Sequence, residues 1–233
     1  MDKISKDITI CIACHPPYLT YLYILLNSIQ NGTMLPYECV IGLSETSDVE
    51  RVLLDETMKH KFTFPIKILN CSRKCNQAEN RNRAMNHAKT KYITICDADD
   101  IVHHRRLEIV VNIMNKYDCV AVLHSFIKTT SNQEFDCHEN TWKLDTDNLK
   151  FLDGTELYDL MKKTEGKHLH LPITNCHHAY ITMRRIEALN LEQDTSVQFY
   201  RSEDSKFVRD ILKHFGRDQR TMMFVNIPLV LYR

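Results

Sequence analysis

Short apolar runs alternate with segments of helical periodicity along the first half of the chain. Runs rich in β-branched and small apolar residues predict strands at positions 7–13, 38–43, 65–69 and 92–96. Apolar residues at helical spacing predict helices at positions 18–29, 48–58, 77–89 and 105–117. Asp48 would cap the second of these helices, with Val52, Leu53 and Met58 turned inward. Strands that alternate with helices in this way form βαβ units with right-handed crossovers. The pattern therefore predicts an α/β fold with a mainly parallel, Rossmann-like central sheet flanked by helices.

The second half of the chain is less regular. Strands are predicted at 119–126 and 179–183, helices at 153–162, 185–189 and 203–214, and a closing apolar run at 222–232. Positions 129–150 are polar and mixed, and fit either a meander or a loop. Because no linker, repeat or low-complexity tract separates the halves, we expect one domain over residues 1–233. Its regular half ends near residue 125, and a smaller mixed half follows from about 126.

Charge and cysteine content exclude several classes of protein. Thirty basic and thirty acidic residues cancel, so nothing indicates an electrostatic footprint for nucleic acid. An odd count of nine cysteines, with only five glycines, argues against a disulfide scaffold and favours a reduced protein. The N-terminus lacks the apolar stretch of a signal peptide, and the longest apolar run, at 18–29, is too short to span a bilayer. We expect a soluble, cytoplasmic protein with no transmembrane segment and no nucleic-acid partner.

Three aspartates stand together at the end of the predicted strand 92–96. Asp97, Asp99 and Asp100 fall within four residues, and carboxylates this close repel unless they take up a proton or share a cation. Mg²⁺ or Mn²⁺ held by one or two carboxylates, with diphosphate oxygens completing its shell, suits this arrangement. The alternative is that Asp100 alone caps the following helix. The grouping of all three after an apolar strand favours the cation site.

This acidic strand end resembles the DXD segment of GT-A-fold glycosyltransferases, in particular the family 2-like group. Other segments are similar to the family in the same order along the chain. The opening strand and helix at 8–31 look like the family's first βα unit, and 78–84 is similar to its Ala-Arg-Asn-Arg-Gly stretch. Ser202-Glu203-Asp204 is similar to the Glu-Asp pair that opens a late helix, and 228–233 to the strand that closes the catalytic domain. The resemblance covers nearly the whole chain.

The resemblance implies a metal-dependent, inverting glycosyltransferase with a GT-A fold. Residues up to about 125 would bind a UDP- or GDP-sugar, and those from about 126 would form the side for a glycan or other hydroxyl acceptor. The nucleotide-sugar site implied in this way comprises Ala13, His15, Glu45, Arg81, Asp97, Ala98 and Asp99. Asp99 would be the direct ligand of Mn²⁺ or Mg²⁺, and Asp97 would contact the ribose or the metal.

The resemblance also assigns roles near the acceptor. Asp204 would be the general base that takes the proton from the acceptor hydroxyl. Without the family pattern, Asp204 would be an ordinary first-turn carboxylate stabilised by the helix dipole. Glu203 and His178 are candidates for acceptor contacts, and Trp142 either stacks on a sugar ring or anchors the core. Arg83 either lies near the diphosphate or on a solvated helix face.

The sequence departs from the family pattern at the second strand. The usual Asp that recognises the nucleobase is missing after Leu43, so Ser44 or Glu45 would have to substitute, and the nucleobase stays open. Two other functions are therefore considered. One is a non-catalytic sugar-nucleotide-binding or scaffolding domain. The other, more remote, is a nucleotidyltransferase, which would normally carry a Gly-rich phosphate loop near the first strand.

Two cysteine patterns could suggest other chemistry. Cys11-Ile12-Ala13-Cys14-His15 matches the haem attachment pattern, and Cys11 and Cys14 with Cys71 and Cys75 have the ligand number of a zinc site. However, Cys11 and Cys14 lie three residues apart on one apolar strand, so their side chains would point to opposite faces. We expect these cysteines to pack in the core.

Overall fold

The computed structural model describes residues 3–128, 140–145, 149–165, 171–173, 176–196 and 202–232. The strands are β1 Ile8–Cys14, β2 Glu38–Ser44, β3 Ile66–Cys71, β4 Tyr92–Asp97, β5 Ile101–Val102, β6 Ala121–Lys128, β7 Phe151–Leu152, β8 Cys176–Arg184 and β9 Met222–Tyr232. The helices are α1 Leu19–Gln30, α2 Asp48–Lys59, α3 Gln77–His87, α4 Arg106–Tyr117, α5 Gly154–Thr164, α6 Arg185–Leu191 and α7 Glu203–Phe215. Most of the polar stretch 129–150 lies outside the described residues.

The nine strands of the described ranges belong to one mixed sheet, in the order β3-β2-β1-β4-β8-β6-β9-β5, with β7 pairing β9 beside this path. The strands from β3 to β4 are mutually parallel, as the βαβ pattern predicts. Beyond them, β8 runs antiparallel to both β4 and β6, whereas β9 is parallel to β6. The mixed character expected of the C-terminal half is therefore confirmed, but the sheet continues through both halves without a break.

The sheet separates two hydrophobic clusters, because successive side chains of a strand point to opposite faces. One cluster joins β1 and β2 to α1 and α4, and the other joins β1 and β4 to α3, α5 and α7. Cys14 lies in the first cluster and Cys11 in the second. Burial raises the pKa of the Cys14 thiol to about 12. The predicted packing role of these two cysteines is confirmed, and every cysteine within the described ranges is a free thiol.

Helix α2 corrects one expectation. Its N-cap is Ser47, which forms a capping box with Glu50, and not Asp48. Met58 is buried, but Val52 and Leu53, expected to turn inward, are 47% and 63% exposed. The helix packs chiefly on the edge strand β3, so only a narrow stripe of it finds a partner. Over the described ranges, no helix combines the length and apolar character needed to cross a membrane.

Helix α3 lies unusually close to the sheet. A Cβ atom on Gly42 of β2 would come within 2.2 Å of the Asn80 carbonyl oxygen, so only glycine permits this approach. Arg83 donates to the carbonyl oxygens of Leu43 and Asn70, which fixes α3 over the ends of β2 and β3. Arg83 therefore lies neither on a solvated face nor toward the aspartates. The packing of α3 on the sheet therefore fixes the position of Arg81 relative to the strand ends.

Candidate active site

A cavity of about 550 Å³ opens where the carboxyl ends of β1, β2 and β4 meet the start of α7. Ligands of open α/β sheets bind at such strand ends. Most residues that the sequence singles out line this cavity together: Ala13, His15, Glu45, Arg81, Asp97, Ala98, Asp99, Glu203 and Asp204. Residues from both halves of the chain therefore converge on one site.

Arg81 joins the two sides of the cavity. Its side chain is 1% exposed; Nη2 donates to Asp97 Oδ1, and Nη1 donates to Glu203 Oε1 at 3.2 Å. Nη1 also lies 3.4 Å from Gln193 Oε1. Burial opposes the positive charge, but Asp97, Asp204 and Glu203 more than offset it and raise the pKa of Arg81. The guanidinium thus ties the end of β4 to the first turn of α7.

The three aspartates after β4 have different environments. Asp97 is buried and also receives a hydrogen bond from Gln77 Nε2 at 2.9 Å. Asp99 is half-buried and lines the cavity. Asp100 is 1% exposed and accepts from the Tyr180 hydroxyl at 2.8 Å. Because α4 begins only at Arg106, with no side-chain cap among the described hydrogen bonds, Asp100 does not cap that helix.

The charges of the cavity suit a divalent cation. Its lining holds five carboxylates against two basic side chains, Lys74 and Arg81. Within the described part of the chain, no group of three or more side chains is arranged as a complete metal site. However, Mg²⁺ and Mn²⁺ need only one or two protein carboxylates when phosphate oxygens supply the remaining ligands. Asp99, with Asp97 beside it, meets that requirement.

Asp204 lies in the first turn of α7 and is held on one side. Its Oδ1 accepts from the Ser205 backbone N–H at 2.7 Å, while Oδ2 lies 3.7 Å from His177 Nδ1. Its neighbour Glu203 is 5% exposed, and burial raises the pKa of the Glu203 carboxyl in spite of Arg81. Glu203 Oε2 has no hydrogen-bond partner among the described residues, which leaves a buried acceptor at the cavity wall.

The ends of β1 and β2 form the opposite wall. His15 Nδ1 lies 2.7 Å from Ser44 Oγ and 3.7 Å from Glu45 Oε2, and burial lowers the pKa of His15. Glu45 has a φ of 57°, in the left-handed region, which costs a residue with a Cβ about 1–2 kcal/mol. Its N–H donates to the Arg73 carbonyl at 3.2 Å. Backbone strain of this kind concentrates at functional sites.

Two residues predicted near the acceptor do not line the cavity. His178 is 2% exposed; its Nδ1 lies 3.2 Å from Ser205 Oγ and its Nε2 accepts from the Leu171 N–H. Trp142 donates from Nε1 to the Pro228 carbonyl at 2.8 Å and packs against His103. Side chains alternate along β8, so the neighbouring His177 lines the cavity in place of His178. Trp142 is half-buried and held by Pro228 and His103, so its described contacts place it neither in the cavity nor in the two hydrophobic clusters.

Several lining residues were missed from the sequence: Cys14, Pro17, Tyr18, Lys74, Gln77 and Tyr232. The first five end or follow β1, or precede and open α3, so their position at strand ends could have identified them. Of the pair His177-His178, the sequence indicated an acceptor contact but His178 was chosen. His177 required the facing of β8. Tyr232 has no local signal, because it reaches the site through the pairing of β9 with β6, which no short-range pattern encodes.

The sequence comparison decides the family. The profile described as "Glycosyl transferase family 2" matches residues 9–189, which include the β4 end, Arg81 and His177. The chain belongs to glycosyltransferase family 2. A glycosyltransferase of Methanocaldococcus jannaschii, itself uncharacterised, is 30% identical to this family 2 protein over 129 residues, 54% of this chain and 43% of the relative. The chain thus spans less than half the length of that relative.

Solved structures confirm the GT-A fold. S. aureus TarS 1–349 superposes with a TM-score of 0.64 and 11% identity, over 97% of the family 2 protein and 60% of TarS. TarS in complex with UDP-GlcNAc superposes with a TM-score of 0.62 and 12% identity, over 94% of the family 2 protein and 55% of TarS. Mannosyltransferase PcManGT of Pyrobaculum calidifontis, solved with GDP-Man and Mn²⁺, superposes with a TM-score of 0.55 and 13% identity, over 95% of the family 2 protein and 59% of PcManGT. At these identities the likeness concerns the fold.

Proposed function

We propose that the protein transfers a sugar from a nucleoside diphosphate sugar to an acceptor hydroxyl, with inversion and with help from a divalent cation. The observation that carries the proposal is the arrangement of Asp99 and Asp204 in one cavity, with Arg81 fastening their two elements together. A carboxylate for the donor side and a carboxylate for the acceptor side are the groups that a single displacement needs.

The proposed reaction is one displacement at the anomeric carbon. The acceptor oxygen forms a bond to that carbon while its proton passes to Asp204 Oδ2. The bond from the anomeric carbon to the diphosphate breaks, and its electron pair leaves with the nucleoside diphosphate. Because attack and departure occur on opposite faces, the configuration inverts. Asp204 is oriented for this role by the Ser205 N–H, which holds Oδ1, while Oδ2 lies 3.7 Å from Nδ1 of His177, a residue that lines the cavity.

The leaving diphosphate develops negative charge that the cavity must neutralise. A bound Mg²⁺ or Mn²⁺ would supply Lewis-acid stabilisation of that charge, with Asp99 as its protein ligand and Asp97 beside it. Asp97 itself is oriented by Arg81 and Gln77. Lys74 and Arg81 are too few to balance the five carboxylates and a diphosphate together, which supports metal dependence.

The donors to test are UDP-GlcNAc and GDP-mannose, one with uracil and one with guanine as its nucleobase. Thermal unfolding is measured with each donor, with and without Mn²⁺, for the wild type, Asp99→Asn and Asp204→Asn. A ligand that binds only the folded state raises the midpoint temperature of unfolding. We expect a metal-dependent rise with at least one donor, lost in Asp99→Asn and kept in Asp204→Asn. A rise that survives Asp99→Asn would remove Asp99 from the site.

The same variants separate an enzyme from a non-catalytic sugar-nucleotide-binding domain. We expect Mn²⁺-dependent release of the nucleoside diphosphate, with water as the acceptor, to fall about 10²–10⁴-fold in Asp204→Asn, as for loss of a general base. Donor binding without any release in the wild type would favour the non-catalytic domain. If neither donor binds, the proposed function as stated is contradicted.

A further inference from the structure

Four aromatic rings meet at one edge of the cavity. They lie on the adjacent strands β8, β6 and β9, and comprise Phe126, His177, Tyr180 and Tyr232, here called the aromatic wall. The His177 ring lies 5.0 Å from the Tyr232 ring, at an angle of 33°, and 5.1 Å from the Tyr180 ring. Phe126 packs edge-on against Tyr232 at 5.4 Å. Each ring is therefore held by at least one other ring of the wall.

Two members of the wall face the cavity, and the other two support them. His177 and Tyr232 line the cavity, on the side where Asp204 lies. Tyr180 is buried behind them, and its hydroxyl is fixed by Asp100 at 2.8 Å. Because the supporting rings are packed, the His177 and Tyr232 rings, which stack on each other at 5.0 Å and 33°, form a fixed aromatic pair beside the proposed base.

A buried hydrogen-bond acceptor belongs to the lining of the same cavity. Glu203, adjacent to Asp204 in α7, also lines the cavity, and its Oε2 has no partner among the described residues. A buried oxygen without a partner is unfavourable unless a ligand or water donates to it. An aromatic pair and an unsatisfied carboxylate oxygen in one cavity match the two sides of a sugar, which presents C–H bonds on one face and hydroxyls at its rim.

We infer that the acceptor is itself a sugar in ring form, bound with its C–H face against the side of the stacked His177–Tyr232 pair that lines the cavity, and with a hydroxyl donating to Glu203. This inference rests on the proposed function, because it names the acceptor of that reaction. The attacking hydroxyl of the ring lies at Asp204, between the wall and the donor side. A linear polyol has no ring face to cover the wall, so it binds there more weakly than a pyranoside.

The inference is tested by saturation-transfer NMR on the whole chain, with and without UDP and Mn²⁺. The probes are methyl β-D-glucopyranoside, methyl β-D-galactopyranoside and methyl α-D-mannopyranoside, with ribitol as the ring-free control. We expect saturation of the ring C–H protons of at least one pyranoside, and markedly less for ribitol. Failure of all three pyranosides, or equal saturation of ribitol, would overturn the inference.

Variants of Tyr232 locate the binding. Tyr232→Phe keeps the ring and should keep the pyranoside affinity, whereas Tyr232→Ala should weaken it about two- to tenfold, the range of one aromatic contact. Tyr37→Ala, at an exposed tyrosine outside the cavity, is the matched control. Unchanged affinity in Tyr232→Ala would overturn the placement. The rise in the thermal unfolding midpoint on adding each donor is measured on the same samples. Donor binding without pyranoside binding refutes this inference alone, whereas absent donor binding refutes the proposed function.

Discussion

Arg81 is the residue on which the charge balance of the site depends. Three buried side chains, Asp97, Glu203 and Arg81, share one network, and among the described residues the guanidinium is the cation that this network contains. Its planar fork reaches two carboxylates at once, which a lysine ammonium does not reproduce. Removing one partner of such a buried pair leaves an uncompensated charge and costs more than removing the pair.

Arg81→Met should therefore lower the free energy of unfolding by about 3–5 kcal/mol, as for a broken buried pair. Adding Glu203→Gln should recover part of that loss, because one of the two stranded carboxylates becomes neutral. Urea unfolding of the wild type, both single variants and the double variant gives the coupling free energy. Losses that simply add would contradict a network centred on Arg81.

At this scale, the sequence identifies charged site residues better than aromatic ones. Asp97 and Asp99 were predictable because carboxylates grouped at an apolar strand end are costly without a function, whereas Asp204, in the first turn of α7, was singled out only by the resemblance to the family. The choice of His177 over His178 depends on which face of β8 meets the cavity, and that facing is set by distant strands. Tyr232 carries no charge cost and so gave no signal.

Among the elements, α3 and β2 are the pair whose contact most directly positions the site. The Asn80 carbonyl lies over Gly42, and α3 carries Arg81 one residue further on. Any atom added at Gly42 separates helix and strand, since a backbone carbonyl cannot rotate away as a side chain can. The cavity geometry therefore depends on a glycine that does not line the cavity.

Gly42→Ala should lower the free energy of unfolding by about 1–3 kcal/mol through overpacking. Donor-induced stabilisation should also weaken, because α3 and Arg81 shift away from Asp97. Both are measured by urea and thermal unfolding. Glu38→Gln, at the start of the same strand, is the control, with an expected change within about 0.5 kcal/mol. Wild-type stability in Gly42→Ala would mean that α3 adjusts without strain.

The existence of most elements was predictable, since local periodicity specifies strand and helix independently of neighbours. The inward faces of α2 were not: Val52 and Leu53 fit a helical stripe, but α2 covers only the edge of the sheet. The order of the strands beyond β4 could not be predicted from the sequence either. The position of β8 between β4 and β6 results from pairing over long sequence separations, which no window of the sequence contains.

For the whole molecule, stability should depend on two buried neutral histidines. Burial lowers the pKa of His103 to about 4. Burial, reinforced by Arg106, lowers the pKa of His124 well below its usual value. His124 Nε2 accepts from Arg106 Nε at 2.9 Å, which requires the neutral ring. Below pH of about 6.5 the unfolded chain protonates both rings while the folded chain does not, so stability falls as the pH falls.

Between pH 7.5 and 5.0, each histidine should remove about 2 kcal/mol of the free energy of unfolding. His103→Gln should reduce this pH dependence by about that amount, whereas His60→Gln, at an exposed position, should leave it unchanged. Urea unfolding at the two pH values measures both. An equal acid-induced loss in wild type and His103→Gln would show that His103 titrates normally in the folded protein.

The position of β8 has a consequence for how the chain is made. β4 and β6 are both completed earlier in synthesis than β8, yet each pairs with it in the finished sheet. Until residues 176–184 leave the ribosome, the nascent chain carries two apolar strands, β4 and β6, whose hydrogen-bonding edges toward β8 are unpaired. Such edges pair readily with other chains. Shortened versions that stop before β8 therefore keep the donor-side motifs but lose the strand that protects them from aggregation.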